Sequence, residues 1–223
     1  MNRLADHVSA ELAERADPNR AADMAAYMKT AMPFYGVKAD ERRRVLRNAR
    51  RLFPVDSKDG YRDTVIALWV RPHREEKYSA VDLAIDEKRW ISFDHLDLYR
   101  RLIVEGAWWD FVDLTAAKLI GRVLLDEPER MWPILDRWIG DDDMWLRRTA
   151  ILAQLKHQNT TNAEKLFDYC QRRAGESEFF IRKAIGWALR EYAKTDPDAV
   201  RSFLAAHGEE LSGLSYREAS KHL

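Results

Sequence analysis

Trp109, Asp113, Arg148, Lys183 and Trp187 stand at spacings that can assemble a reaction site. Trp109 and Asp113 are four residues apart, as are Lys183 and Trp187, so on helices each pair shares one side. Asp113, Arg148 and Lys183 follow one another at 35-residue intervals, which makes them lateral neighbours if the chain repeats with that period. The result is a slot with aromatic walls, a carboxylate near one wall and basic groups beside it. A carboxylate can stabilise positive charge developing on a sugar carbon, or hold a water for attack there. Aromatic faces attract cations by about 0.5–2 kcal/mol each, and arginine and lysine grip phosphates. A substrate that carries both a cationic group and a phosphate backbone uses all three, and purine nucleotides alkylated at N3 or N7 in DNA are such substrates.

Each piece also has an ordinary structural use. Eight Trp can pack a helical core, an Asp–Arg pair can join neighbouring helices, and Lys183 beside Arg182 can be a solvated face. Their coincidence on one stripe is what singles the set out.

The stripe belongs to a longer pattern. Positions 42, 77, 112, 147, 182 and 217 read Arg, Lys, Val, Arg, Arg, Arg. The next column reads Arg43, Tyr78, Asp113, Arg148, Lys183 and Glu218. The outer members, Arg43 and Glu218, are expected to mark the return to ordinary surface or backbone contact. Apolar residues recur at three- and four-residue spacing almost throughout, and no strand alternation is evident. Asp17-Pro18, Glu127-Pro128 and Asp196-Pro197 read as helix starts. Breaks are expected near residues 37–40, 54–60, 72–75, 141–143, 175–177 and 208–214. Each 35-residue unit then holds about two helices, which bury their apolar faces only by stacking. The predicted fold is all-α: a curved solenoid of about six HEAT-like helical pairs, forming a single domain over residues 1–223.

Composition sets the outer bounds. Hydrophobic residues make up 46% and charged residues 33%, with nine Gly and seven Pro, a helix-friendly globular mixture. One cysteine, Cys170, leaves no intrachain disulfide and points to a reducing compartment. The first residues lack the apolar run of a signal peptide, and no stretch reaches about 18 apolar residues. A monomer in a bacterial-type cytosol or nucleoid, without membrane association, is expected.

The net charge is zero, with 37 basic and 37 acidic residues, but the charges are segregated. Residues 27–51 carry eight Lys/Arg against two Asp/Glu, and residues 145–195 carry ten against five. Residues 105–143 between them carry four against ten. Two basic blocks around an acidic centre suit a split footprint for nucleic acid.

Other catalytic templates are missing. The chain has no Gly-x-Gly-x-x-Gly, Walker loop, Gly-x-Ser-x-Gly or His-Glu-x-x-His. Its six histidines lack metal-ligand spacing. The expectation is chemistry without metal or cofactor.

At these residues the chain resembles the AlkD-type DNA alkylation repair glycosylases, which are HEAT-like helical solenoids. The matching segments are AAYMKT (25–30), EGAWWDFVD (105–113), WLRRTAILAQLKH (145–157), FFIRKAIGWALREYAKT (179–195) and LSYREASKH (214–222). The resemblance implies excision of cationic N3- and N7-alkylpurines from double-stranded DNA by hydrolysis of the glycosidic bond, without a metal, a cofactor or a pocket enclosing the base. It implies a catalytic set of Asp113, Trp109, Trp187 and Arg148. Asp113 would position water and stabilise the sugar, and the two Trp would pack on the deoxyribose. Arg148 would support the site and contact DNA backbone. Tyr27 matches a position near the lesion, and Lys156, Arg190 and Lys194 sit in matching basic segments as phosphate contacts. Lys183 and Arg43, on the repeated stripe, join the expected DNA-binding set. Two other readings of the same features are a non-catalytic helical-repeat module that binds damaged or branched DNA, and a protein-interaction scaffold.

Overall fold

The computed structural model describes residues 2–223, and every regular element among them is a helix. The residues fall into two compact units, Met1–Ile91 and Ser92–Leu223. The first holds α1 (Arg3–Glu14), α2 (Pro18–Met28), α3 (Ala39–Leu52), α4 (Lys58–Trp69) and α5 (Arg74–Asp86). The second holds α6 (Leu96–Gly106), α7 (Trp109–Leu114), α8 (Gly121–Asp126), α9 (Pro128–Trp138), α10 (Met144–Leu152), α11 (Ala163–Arg172), α12 (Phe179–Tyr192), α13 (Pro197–His207) and α14 (Gly213–Ala219). A π-helical stretch, Thr115–Ile120, joins α7 to α8 without a break.

The helix starts have local causes. The Asp17 carboxylate accepts the Arg20 amide at 3.1 Å and Asp196 accepts the Ala199 amide at 2.9 Å. In each case the following proline, Pro18 or Pro197, is the first helical residue, where its missing N–H costs nothing. Pro128 opens α9 in the same way. The breaks expected from Pro, Gly and Asp clusters all fall at helix boundaries. Further breaks lie at 87–95, at 153–162 and at Ala107, whose left-handed conformation (φ 39°) ends α6 inside the segment EGAWWDFVD. Helix therefore restarts at Trp109, and Asp113 lies one turn in.

The first unit closes on Leu12, Leu46, Tyr61, Val65, Leu68 and Trp69, all buried. Its extended segment before α3 is tied down by a buried carboxylate: Glu75 accepts the amides of Gly36 at 2.8 Å, Val37 at 3.1 Å and Tyr35 at 3.1 Å. Three charge-assisted bonds offset the cost of burying that charge. Gly36 is required there, because its φ is +84° and a Cβ would fall 2.2 Å from the Asp17 carbonyl oxygen.

The second unit closes on Leu98, Leu102, Phe111, Leu119, Leu135, Leu146, Ile181, Ile185 and Leu189. Its helices pack laterally in register with the repeat. The Asp113–Arg148, Lys156–Glu191 and Lys183–Glu218 pairs are each 35 residues apart. In the first unit the lateral partners of Arg42 and Arg50 lie 36–40 residues on, at Tyr78, Asp82, Asp86 and Glu87, so the 35-residue step describes contacts in the second unit best.

α12 and α14 approach closely at Gly186, where a Cβ would meet the Glu218 Cβ at 2.5 Å and the Ser215 carbonyl oxygen at 2.8 Å. Backbone cannot yield as a side-chain tip can. Gly186→Ala is therefore expected to destabilise the protein by about 1–3 kcal/mol, seen as a fall in Tm of roughly 2–12 °C in a thermal melt.

Candidate functional site

Trp109, Asp113, Arg148, Lys183 and Trp187 line one cavity of about 340 Å³ in the second unit, together with Phe179, Phe180, Arg190 and Glu218. Four helices, α7, α10, α12 and α14, supply them. Trp109 is the first residue of α7, Arg148 lies in α10, Phe179 and Phe180 open α12, and Lys183, Trp187 and Arg190 follow along α12. Phe180 packs against Trp108 and Trp145, which pack against each other, all in tilted or edge-on contacts with centroids 5.0–6.3 Å apart. At its mouth Trp109 is 37% and Phe179 51% exposed.

The centre of the site is an ion pair. Arg148 donates from Nε to Asp113 Oδ1 at 2.7 Å and from Nη2 to Oδ2 at 2.8 Å, a two-pronged contact. Its third nitrogen, Nη1, donates to the Phe180 carbonyl oxygen, and the guanidinium lies 5.8 Å from the centre of the Phe180 ring. The side chains are only 4% (Arg148) and 11% (Asp113) exposed. Arg148 takes one lone-pair direction on each Asp113 oxygen, which leaves the carboxylate able to accept further hydrogen bonds. Burial pushes the Asp113 carboxyl above its ordinary value, and the Arg148 guanidinium opposes that shift.

Neighbouring backbone holds this pair in place. The π-helical stretch begins two residues after Asp113, and the Thr115 hydroxyl donates to the Phe111 carbonyl at 2.9 Å. Buried His157 pairs through Nε2 with the Gly121 carbonyl oxygen at 2.9 Å, and burial lowers its pKa, which favours the neutral ring. Gly121 lets the backbones close up, since a Cβ there would lie 2.5 Å from the Ala153 oxygen. The helical stretch that carries Asp113 is thereby pressed against the one that carries Arg148. Irregular π turns of this kind recur beside functional residues.

A second carboxylate, Glu218, holds the other basic groups. It accepts from Lys183 at 3.0 Å, Arg190 at 2.5 Å and Lys221 at 2.8 Å. The hydrogen bonds from Lys221 and Lys183 hold its pKa down to about 2.

The family profile of DNA alkylation repair enzymes matches residues 8–223. The chain belongs to the DNA alkylation repair enzyme family. The protein from Enterococcus faecalis described as a predicted DNA alkylation repair enzyme is 32% identical and superimposes with a TM-score of 0.85, over 93% of this chain and 96% of that one. The smu.31 protein from Streptococcus mutans UA159, 19% identical, superimposes with a TM-score of 0.61 over 82% of this chain and 92% of its own, and shows the fold alone. No curated protein is significantly similar.

In this DNA alkylation repair enzyme the expected site residues divide by place. Trp109, Asp113, Arg148 and Trp187 come together, and Lys183 and Arg190 join them at the rim. Lys156 and Lys194 both pair with Glu191, at 3.3 and 2.6 Å, and remain largely exposed. Lys194 and Glu191 line a separate groove of about 300 Å³. Tyr27, 77% exposed on α2, and Arg43, paired with Asp40 and Asp82 on α3, belong to the first unit.

Arg148 is buried and supports the site, holding Asp113 through Nε and Nη2 and the Phe180 carbonyl through Nη1. One expectation needs correction. Glu218 is not the return to ordinary surface: it lines the cavity and binds two of its cations. The 35-residue column already contained the signal, an acid one repeat beyond Lys183. Phe179 and Phe180 gave no such signal, since adjacent aromatics at a helix start read equally well as core.

Among the described residues no group of His, Cys, Asp or Glu is placed to hold a metal ion, and no helix is long and apolar enough to cross a membrane. Cys170 is fully buried, which pushes its thiol pKa up and keeps it unreactive.

Proposed function

We propose that this protein is a DNA glycosylase that hydrolyses the N-glycosidic bond of cationic N3- and N7-alkylated purines in double-stranded DNA. The observation that carries this reading is the Asp113 carboxylate, clamped by buried Arg148 between Trp109 and Trp187. Water adds to C1′ of the deoxyribose as the bond from C1′ to the purine nitrogen breaks. The bonding electrons go to the base, which leaves neutral because it began as a cation, so no acid need protonate it. The water loses its proton to solvent or to the carboxylate. Positive charge builds on the sugar in the transition state, and a fixed anion beside it lowers the barrier.

Under this reading Asp113 is the catalytic carboxylate, Trp109 and Trp187 pack against the sugar, and Arg148 positions Asp113. Lys183 and Arg190 meet phosphate at the cavity rim, and Lys156, Lys194, Tyr27 and Arg43 are further DNA contacts. The exposed faces of Trp109 and Phe179 favour an approach that leaves the base unenclosed, unlike enzymes that extrude the base into a deep pocket.

The test is release of free 7-methylguanine from a methylated duplex by the purified protein. Release should require no added metal and should weaken steeply as salt rises, because each neutralised phosphate contributes a slope of about −0.9 in log affinity against log salt. Tight duplex binding with no base release under any condition would favour a non-catalytic DNA-binding module.

A further inference from the structure

The first unit concentrates arginine in a place that none of the chemistry above uses. Arg44, Arg47, Arg50, Arg51 and Arg89 line a cavity of about 720 Å³ beside the C-terminal half of α3, with Glu87 as the only acid in its wall. That acid is already taken. Its Oε1 accepts from Arg50 Nε at 2.9 Å and Nη2 at 2.7 Å, and Arg89 stands 3.7 Å from its Oε2. Among the described residues Arg51 reaches only the side-chain oxygen of Asn48, and Arg89 bonds the Val55 carbonyl.

Arg44 and Arg47 are exposed and, among the described residues, have no carboxylate partner. Their neighbours differ: Arg42 and Arg43 pair with Asp82, and Arg50 with Asp86 and Glu87. A helix C-terminus attracts basic residues through its own dipole, which accounts for Arg50 and Arg51 in the last turn. It does not account for Arg44 and Arg47, which lie in the middle of the helix. Arg44, Arg47 and Arg51 follow at i, i+3 and i+7, so their heads form a row on one face, about 4.5 and 10 Å along the axis.

We propose that this row is an anchoring site for the phosphodiester backbone of duplex DNA, formed by none of the residues around Asp113. The proposal rests on the DNA reading above and adds a second surface to it. Guanidinium forks match phosphate oxygens two at a time. A row of them suits a repeating anion better than a single phosphate. Contacts of that kind carry no sequence or lesion information, so the site would hold undamaged and damaged DNA alike and keep the protein on the duplex while lesions are sought.

The experiment uses the full chain and a fluorescein-labelled duplex without any lesion. The double variant Arg44→Ala/Arg47→Ala removes two exposed side chains and should leave the fold unchanged by circular dichroism. Affinity for the duplex should fall on the order of tenfold, and the salt slope should become shallower by roughly 1.8 if each arginine neutralises one phosphate. In single-turnover release of 7-methylguanine, the protein concentration giving half-maximal rate should rise while the saturated rate constant stays unchanged. Charge reversal, Arg44→Glu/Arg47→Glu, should weaken binding further.

Unchanged duplex affinity and salt slope in both variants would overturn the anchor, whatever the wild-type glycosylase activity. Absence of base release by the wild type, with duplex binding still lost in the variants, would leave the anchor standing and remove the glycosylase reading. Phosphatidylserine vesicles provide the remaining arm: arginine-dependent binding to them, with duplex binding unaffected, would assign the patch to a membrane surface and overturn the DNA assignment.

Discussion

Asp113→Asn is expected to lower the single-turnover release of 7-methylguanine by about a hundredfold or more, the usual cost of removing a group aimed at developing charge. The asparagine side chain has nearly the same shape and can still accept one bond from Arg148. It has no charge to oppose an oxocarbenium-like sugar, and its amide nitrogen cannot accept from a water. DNA affinity, by contrast, should change little, because the carboxylate makes no attractive contact with phosphate. Measuring duplex binding and circular dichroism beside the release rate separates a lost reaction from a lost fold. An asparagine variant that retains activity within a few-fold of wild type, while binding DNA normally, would remove Asp113 from the mechanism.

Arg148→Met is expected to be the most destabilising of the substitutions around the cavity. It strands a carboxylate that is 11% exposed and frees the Phe180 carbonyl that Arg148 bonds. Breaking one side of a buried ion pair costs about 3–5 kcal/mol, which corresponds to a fall in Tm of roughly 6–20 °C for a protein of this size. The same substitution has a catalytic signature that a merely structural residue would not produce. Burial already raises the Asp113 pKa and Arg148 opposes that rise; without the guanidinium the carboxyl rises further. The reaction needs the ionised form, so activity is lost as pH falls through that pKa, and the acid limb of kcat/KM should move to higher pH. Arg148→Lys, which keeps the charge but loses the two-pronged geometry, should give an intermediate limb. An unshifted limb in both variants would leave Arg148 as packing alone.

Much of this was legible in the chain before folding, for identifiable reasons. Helical periodicity, Asp-Pro starts and Gly- or Pro-marked breaks act over a few residues, and a helix boundary stands at each of those signals, whereas the breaks between α5 and α6 and between α10 and α11 were not among them. The left-handed turn at Ala107 was not legible, because alanine carries no preference for that conformation and the turn is imposed by its surroundings. The partners of Arg148 show the same limit. Spacing placed Asp113 one repeat away, but a repeat position does not say whether an arginine points out to a phosphate or in to a carboxylate. Glu218 gathers Lys183 and Arg190 only because α14 packs against α12 at Gly186, whereas Lys221 is a local neighbour three residues on.

By itself the sequence determined an all-helical protein whose repeat aligns Trp109, Asp113, Arg148, Lys183 and Trp187, since patterning and spacing are local or periodic properties. Only the tertiary structure decided what each charge does there. How Arg148 comes to hold Asp113, and whether Lys183 is free or tethered, depends on burial. Burial is set by which helices meet, through contacts such as that of Gly186 with Ser215, at separations no local pattern encodes.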